Sequence, residues 1–471
     1  MSIEIPFLAI RERMEADHAP RLVMDAFLEN VRRWAEGDLG VISGDGLAPL
    51  GALPKLGDLD ELDAAGEEAI RHTVLIKLNG GLGTSMGLEK AKSLIIAKNG
   101  LSFLDILIRQ VEFLRRRCRA PLPLLLMDSF STDADSLAAL QENHAGFANP
   151  DGLPLSFCQH RVPKLEAETR VPIRWPEHPQ LEWCPPGHAD IYCALQTTGL
   201  LDRLLAAGYR YAFVSNADNL GAIVHMGILG FLARRPIPFL MEVTARTECD
   251  RKGGHLARDR QTGRLLLRES AQCPPNETQD FQDIAKYSLF NTNNLWLNLE
   301  ALRENLLRHN GILPIPLIVN RKTVDPVRAD SPAVVQLEAA MGSAISCFEG
   351  ASALIVPRRR FAPVKTTNDL LAVRSDLYQL GEENQVTLHP LRFTPPPDIR
   401  LDARYYKNIA DFEARFPQGA PSLLHCDSLR IDGDICFGRR IRVEGHVHLR
   451  NPTDRAARIP DDSRLHTPVG A

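Results

Sequence analysis

Residues 74–87, Val74-Leu75-Ile76-Lys77-Leu78-Asn79-Gly80-Gly81-Leu82-Gly83-Thr84-Ser85-Met86-Gly87, decide the fold class. Val74 to Ile76 is a short apolar run, read as a buried strand, and it ends directly on a loop of small residues. Glycines at the C-terminal end of a strand let backbone N–H groups approach a phosphate or a base. The loop fits neither familiar phosphate fingerprint. A P-loop needs GxxxxGK followed by Ser or Thr, and between Gly87 and Ser93 it is Ala91 that stands at the second glycine position. A dinucleotide fingerprint needs GxGxxG, and here Gly81-x-Gly83 is followed by Gly87, one residue late. Alone, the loop reads as a Gly-rich turn almost as well as a ligand cradle.

Outward from this strand, apolar runs alternate with helical stretches over residues 70–395. Residues 101–117 carry Phe103, Ile106, Leu107, Val111 and Leu114 at helical spacing. Leu122 to Met127, Tyr211-Ala212-Phe213-Val214 and Phe239 to Val243 are further strand-length runs. Buried runs alternating with helices imply an α/β fold with a mixed, mostly parallel sheet covered on both faces. Residues 1–60 form a helical segment (Leu22, Val23, Ala26, Phe27, Val31, Trp34), and Gly40 to Pro54 reads as a linker. Residues 61–395 make the central α/β unit. After Pro395-Pro396-Pro397, residues 396–471 show a hexapeptide repeat, with Leu429, Ile435, Ile441 and Val447 in one register and Ile431, Phe437, Val443 and Leu449 in another. That period marks a small parallel β-helix; a pair of alternating strands with Gly turns is the plainer alternative.

The chain has 471 residues, 44% hydrophobic and 24% charged, as expected of a soluble globular protein. Its 55 Lys and Arg against 59 Asp and Glu leave a net charge of −4, which argues against nucleic acid as the main partner. No run approaches the ~20 apolar residues that span a bilayer, and residues 1–17 lack the apolar core of a signal peptide. The nine cysteines are scattered with no CxxC pair, which reads as reduced thiols and a cytoplasmic setting.

Four more stretches carry polar groups in unusual company. Trp183-Cys184-Pro185-Pro186-Gly187-His188-Ala189-Asp190 is stiffened by prolines, and His188 either donates to a phosphate or caps the helix that follows. Phe213-Val214-Ser215-Asn216-Ala217-Asp218-Asn219 puts Asp218 just past a strand, suited to a metal or to an Asx turn. Phe290-Asn291-Thr292-Asn293-Asn294-Leu295-Trp296 sets amides beside an aromatic, suited to sugar hydroxyls or to a capped turn. Pro363-Val364-Lys365-Thr366-Thr367-Asn368-Asp369 sets Lys365 before a helix start, with Asn368 or Asp369 as a possible cap.

Together and in this order, with Lys92, Phe157-Cys158-Gln159 and Lys252-Gly253-Gly254, these motifs resemble the eukaryotic-type UTP–glucose-1-phosphate uridylyltransferases, over residues 70–380. The resemblance implies a Rossmann-like nucleotide-diphospho-sugar transferase domain followed by a left-handed parallel β-helix. It implies that UTP and glucose 1-phosphate give UDP-glucose and pyrophosphate with Mg²⁺. Carried over, Leu78, Asn79, Gly80 and Gly81 form the nucleotide loop, and Gln159 and Gly187 contact the uracil. Lys92 binds the UTP phosphates, Asp218 holds Mg²⁺ against the α-phosphate, and Lys365 bridges the attacking and α-phosphates. His188, Asn216 or Asn219, Glu269 and Asn293 lie around the sugar phosphate. Three departures stand out. Lys90-Ala91 replaces Gly-Pro and adds charge, Cys158 replaces Asn, and Ala189 replaces a glycine, with a methyl expected to tighten the uridine or sugar pocket. A broader sugar preference (galactose 1-phosphate) and a non-catalytic nucleotide-sugar binder are the alternatives. Homo-oligomerisation stays open, because the C-terminal region can carry subunit contacts in relatives.

Overall fold

A computed structural model describes residues 6–83, 86–88 and 90–466. Thr84 and Ser85 of the Gly-rich loop, Glu89, and the two ends of the chain lie outside the described residues. Ten strands make the central sheet: β1 (Leu47–Ala48), β2 (Thr73–Leu78), β3 (Leu124–Asp128), β4 (Ser156–Cys158), β5 (Tyr211–Asn216), β6 (Phe239–Ala245), β7 (His255–Asp259), β8 (Leu265–Arg268), β9 (Leu289–Asn298) and β10 (Ser352–Ile355). The order is β1-β7-β9-β5-β2-β3-β4, with β6 also on β9, β10 on β6 and β8 on β7. β5, β2, β3 and β4 are mutually parallel, as are β6 and β10. β9 runs against β5, β6 and β7, while β1 and β8 run against β7. Seven of the ten strands therefore point one way, and the sheet is mixed but mostly parallel.

The alternation of side chains explains why the apolar runs are continuous. Val74 and Ile76 enter one buried cluster with Leu125, Val214 and Leu295, while Leu75 enters another with Leu124, Leu126, Phe213 and Trp296. Helix Phe103–Cys118 packs Leu104, Ile108 and Val111 into the second cluster, and Ser102 caps its start reciprocally with Asp105.

Helices α1 (Phe7–Ala16) and α2 (Arg21–Ala35) bury Ile10, Met14, Val23, Phe27, Val31 and Trp34. These meet Val162, Leu165, Leu317, Val335 and Leu337, on and beside a small antiparallel sheet of Leu165–Glu166, Ile318–Thr323 and Ala333–Glu338. The stretch from Gly40 to Pro54 is more than a linker. Leu47 and Ala48 pair with Asp259 and Arg258 and extend the main sheet by one edge strand.

Beyond the triple proline, strands Asp398–Leu401, Ser422–Asp432, Arg442–Arg450 and Arg464–His466 stack in parallel, and Ile435–Phe437 pairs in parallel with Ala457–Ile459. Leu429 sits beside Val447 and Ile431 beside Leu449, three hexads on. Their core is shared with Met86, Ile95, Phe103 and Leu370, so this unit also supports the segments that flank the Gly-rich loop.

Candidate active site

Parallel register brings the motifs to one edge. Leu78 lies beside Asn216 and Met127, and Asp128 beside Cys158, so the chain leaves β2, β3, β4 and β5 at the same side of the sheet. The loop after Leu78, Gln159 and Asp218 start there, where open α/β sheets bind ligands. The Asn79 side chain turns inward. Its amide is buried, donating to Asp128 Oδ1 (2.7 Å) and Ser136 Oγ (2.9 Å), and its N–H bonds Met127 O (2.8 Å). Asn79 thus anchors the first residue of the loop and leaves Gly80 and Gly81 to present backbone. Burial pushes the Asp128 carboxyl up to about 6, against the bonds from Ser136, Asn79 and Thr132.

Downstream, the loop returns as Leu82 pairs with Ala91 and Lys92 N–H bonds Gly81 O (3.2 Å). Ala91 is 1% exposed and fills the core side, while Lys90 points to solvent. Lys92 Nζ then sits 2.6 Å from Asp218 Oδ2, and both side chains keep partial exposure, 16% and 20%. A cation and a carboxylate from segments 126 residues apart meet here at the mouth of the Gly-rich loop.

Gln159 and Gly187 form a second wall. A methyl on Gly80 would come within 2.5 Å of Gln159 Nε2, so loop and glutamine are in direct packing contact. Gly187 has φ +87° and lies against Ala339, whose N–H bonds Pro186 O (3.0 Å) and whose carbonyl accepts from Ala189 N–H (3.1 Å). His188 does not cap the following helix, Asp190–Thr197. Its Nδ1 accepts the Met341 N–H at 2.9 Å, which leaves the proton on Nε2 as a donor. Ala189, expected to narrow the pocket, instead sits 7% exposed in the main core cluster with Ile191 and Leu195, so its methyl packs inward.

At Gly187 a side chain would be doubly opposed. Its Cβ would fall 2.6 Å from Ala339 N and closer still to the carbonyl oxygen. Gly187→Ala is expected to cost about 1–3 kcal/mol in stability from the positive φ alone, and more through the clash. Chemical denaturation checks the first effect, and a raised KM for UTP reports the displaced wall.

Burial drives His188 down to about 4. Burial, with Arg246 and Arg268 adding to it, drives His255 down to about 3. A histidine whose folded value lies below its unfolded one binds a proton more weakly when folded. Its contribution to stability is whole above about pH 6.5 and is lost as pH falls through the folded value. The denaturation midpoint is therefore expected to fall from about pH 6.5 down to about 4 through both histidines, and on to about 3 through His255 alone. His255→Phe, which keeps the stacking on Tyr287 (3.9 Å between centroids), should flatten the lower part of that profile.

The third wall comes from β9 and the segment before helix Thr367–Arg374. Opposite β6, the register slips so that Thr292, Asn293 and Asn294 face Glu242 alone. Such a bulge re-aims side chains. Asn293 has φ +58°, accepts from Asn291 Nδ2 (2.8 Å) and bonds Asn291 Oδ1 through its N–H (2.9 Å). Glu269 lies against Gly254, where a Cβ would meet its Cδ at 2.6 Å. Burial pushes the Glu269 carboxyl up, and nearby Lys365 pulls it down. Lys365 is delivered by a backbone link, Val364 N–H to Asp218 O (3.3 Å), and Pro363 pairs with Asn219. The helix cap here is Thr366, with Asp369 returning the bond, while Asn368 accepts from Leu401 N–H instead.

Of the two asparagines left open by sequence, Asn216 ends β5 half-buried. Asn219 is 1% exposed and fully engaged with Asn294 Oδ1, Arg360 O, Gly221 N–H and Ala362 N–H. It clamps the 360–365 segment onto the Asp218 loop. Behind it lies a buried network that sequence reasoning missed. Arg360 donates to both oxygens of Glu242 (2.6 and 2.7 Å), which also accept from Trp296 Nε1 and Asn294 Nδ2. Lys77 Nζ beside it donates to Ser215 Oγ (2.7 Å) and Ala222 O (2.9 Å). Burial, with Arg360 adding to it, lowers Lys77 to about 7. The available signal was Glu242, a lone charge inside the apolar run Phe239 to Val243.

Comparison with known proteins identifies the family. A family model described as UTP–glucose-1-phosphate uridylyltransferase matches residues 24–444. The UTP–glucose-1-phosphate uridylyltransferase of Solanum tuberosum is 41% identical over 409 residues, 86% of this chain and 83% of that protein. That of Saccharomyces cerevisiae is 39% identical over 396 residues, 84% and 77% of the two chains. A variant of the UDP-glucose pyrophosphorylase from Leishmania major, solved with UDP-glucose, superposes with a TM-score of 0.89 at 41% identity over 97% of both chains. Match length, identity and fold agree with the ordered motifs on the sheet edge, and the chain belongs to the UTP–glucose-1-phosphate uridylyltransferase family.

Proposed function

We propose that this chain makes UDP-glucose and pyrophosphate from UTP and glucose 1-phosphate. The observation that carries the reading is the convergence of Lys92, Asp218 and Lys365 on one sheet edge beside the Gly80-Gly81 backbone. A sugar-phosphate oxygen attacks the α-phosphorus of UTP, the P–O bond to the β-phosphate breaks, and pyrophosphate leaves. Both reactants are anions, and the attacking phosphate is already deprotonated near neutral pH. No protein nucleophile or base is required, so catalysis is positioning plus charge stabilisation. Gln159 and the Gly187 backbone orient the uracil, and Gly80 and Gly81 offer backbone to the nucleotide. Lys92 neutralises charge on the departing pyrophosphate, and Lys365 draws the two phosphates together. His188 Nε2–H, Asn216, Glu269 and Asn293 hold the sugar phosphate and its hydroxyls.

Mg²⁺ suits the donor set. Asp218 supplies one carboxylate at the open edge, and Mg²⁺ ordinarily takes one or two carboxylates and completes its shell with water and phosphate oxygens. When bound, it would neutralise charge on the α-phosphate. For the remainder we propose three units, 1–60, 61–395 and 396–471. The last is a left-handed β-helix, supported by the three-hexad offset of its paired strands. A reducing cytoplasm is supported by eight described cysteines, all free thiols. Among the described residues no helix is long and apolar enough to cross a membrane.

The test is pyrophosphate release from UTP and Mg²⁺ with glucose 1-phosphate, galactose 1-phosphate or N-acetylglucosamine 1-phosphate. Release dependent on glucose 1-phosphate, with UDP-glucose as co-product, is expected. UDP-glucose binding without release from any of the three would overturn the catalytic reading.

A further inference from the structure

We propose that Lys77 is a positioning residue for Asp218: its buried amine ties together the two ends of the loop that carries the carboxylate. The inference rests on the assignment of Asp218 to Mg²⁺.

Lys77 stands on β2 directly beside Ser215 of β5, in parallel register. β5 ends at Asn216, and the chain turns past Asp218, with Asn219 N–H on Asn216 O (3.2 Å) and Ala222 N–H on Asn219 O (3.1 Å). Lys77 Nζ donates to Ser215 Oγ where the loop begins (2.7 Å) and to Ala222 O where it ends (2.9 Å). One side chain from the neighbouring strand therefore closes the loop at its base. Arg360 Nη2 takes the next carbonyl, Ile223 O (2.8 Å), and Asn219 Oδ1 holds Ala362 N–H (3.0 Å). Asp218 lies between these fixed points.

Charge balance does not account for the lysine. Glu242 already has its cation, since Arg360 spans both carboxylate oxygens, and Trp296 and Asn294 complete their hydrogen bonds. Both hydrogen bonds of Lys77 go instead to the ends of one loop. Burying an amine without a counter-charge is costly, and burial, with Arg360 adding to it, brings this one down to about 7. What the residue supplies in return is geometry. Its charged and neutral forms both carry the two N–H groups that the loop ends accept, so the tie holds in either. The same loop bonds Val364 N–H through Asp218 O (3.3 Å), so its position also sets where the Lys365 segment meets the carboxylate.

The test uses the full chain and measures UTP affinity with Mn²⁺ and with chelator, without sugar phosphate, so that nothing turns over. Mn²⁺ is expected to tighten UTP binding to the unaltered chain, and Asp218→Asn to remove that gain. Lys77→Met keeps the bulk and drops both ties. It should cut the gain about tenfold, leave UTP affinity in chelator within about twofold, and lower kcat by about 10–100-fold, the scale of a misplacement near 1 Å. Ser215→Ala, which keeps the lysine and drops one tie, should lose a smaller part of the gain, and nothing further when added to Lys77→Met. A gain lost in Asp218→Asn but intact in Lys77→Met overturns the inference, as does a Lys77→Met chain whose only defect is a lower denaturation midpoint. A gain intact in Asp218→Asn overturns the assignment of Asp218 and this role with it. Should Lys77→Met not fold, an unchanged gain in Ser215→Ala overturns the role equally.

Discussion

Lys365→Met is expected to lower turnover by about 10²–10³ while leaving the denaturation midpoint where it was. The side chain is exposed, so its removal opens no cavity, and the segment stays fixed through Lys365 N–H on Asp369 (2.9 Å) and Asn219 on Ala362. Methionine keeps the bulk and removes only the charge. Two consequences separate a reacting role from a merely electrostatic background. The kcat should fall far more than the KM for UTP, because a charge that acts between the two phosphates matters most as they approach. Glu269, no longer pulled down by Lys365, should also titrate higher than in the unaltered chain. Steady-state kinetics with UTP and glucose 1-phosphate in turn measures the first. Turnover close to the unaltered level would remove Lys365 from the site.

The strands of the sheet were legible because burial on both faces leaves an apolar run whatever the neighbours are. Val74 to Ile76, Leu122 to Met127, Tyr211 to Val214 and Phe239 to Val243 all became strands, with no end moved by more than two residues. Leu47–Ala48 was not legible. A two-residue edge strand carries no period, and Gly and Pro on either side made it look like a linker. At the sheet edge, candidates with a partly exposed side chain or bare backbone, such as Lys92, Asp218 and Gly187, could be named from motif order. Residues committed to holding others could not be distinguished from them. Asn79 and Asn219 carry the same amide as Asn293, yet their bonds go inward to Asp128, Ser136, Arg360 and Asn294. Ala189 was misjudged for the same reason, since a sequence gives a methyl its identity but not its direction. The Glu242–Arg360 pair joins residues 118 apart and has no local signature on the arginine side.

Asp218→Asn carries the second large effect, again about 10²–10³ in turnover. Asparagine preserves shape and one carbonyl oxygen but loses the charge that would hold a divalent cation and that now balances Lys92 at 2.6 Å. The fold should tolerate the change. Both side chains of the pair are partly solvated, a setting in which ion pairs contribute about 0–1 kcal/mol, and the Asp218 carbonyl keeps its bond from Val364 N–H. The Mg²⁺ concentration for half-maximal rate should rise as well, because the carboxylate proposed to hold it has been replaced. Lys92→Met should cost a similar factor, and the double variant should lose much less than the product of the two. Groups that stabilise charge in the same transition state act as a unit, and removing either weakens the other. Losses that simply multiply would mean that Lys92 and Asp218 serve separate steps, and that their contact is a resting-state pair without a shared role in the reaction.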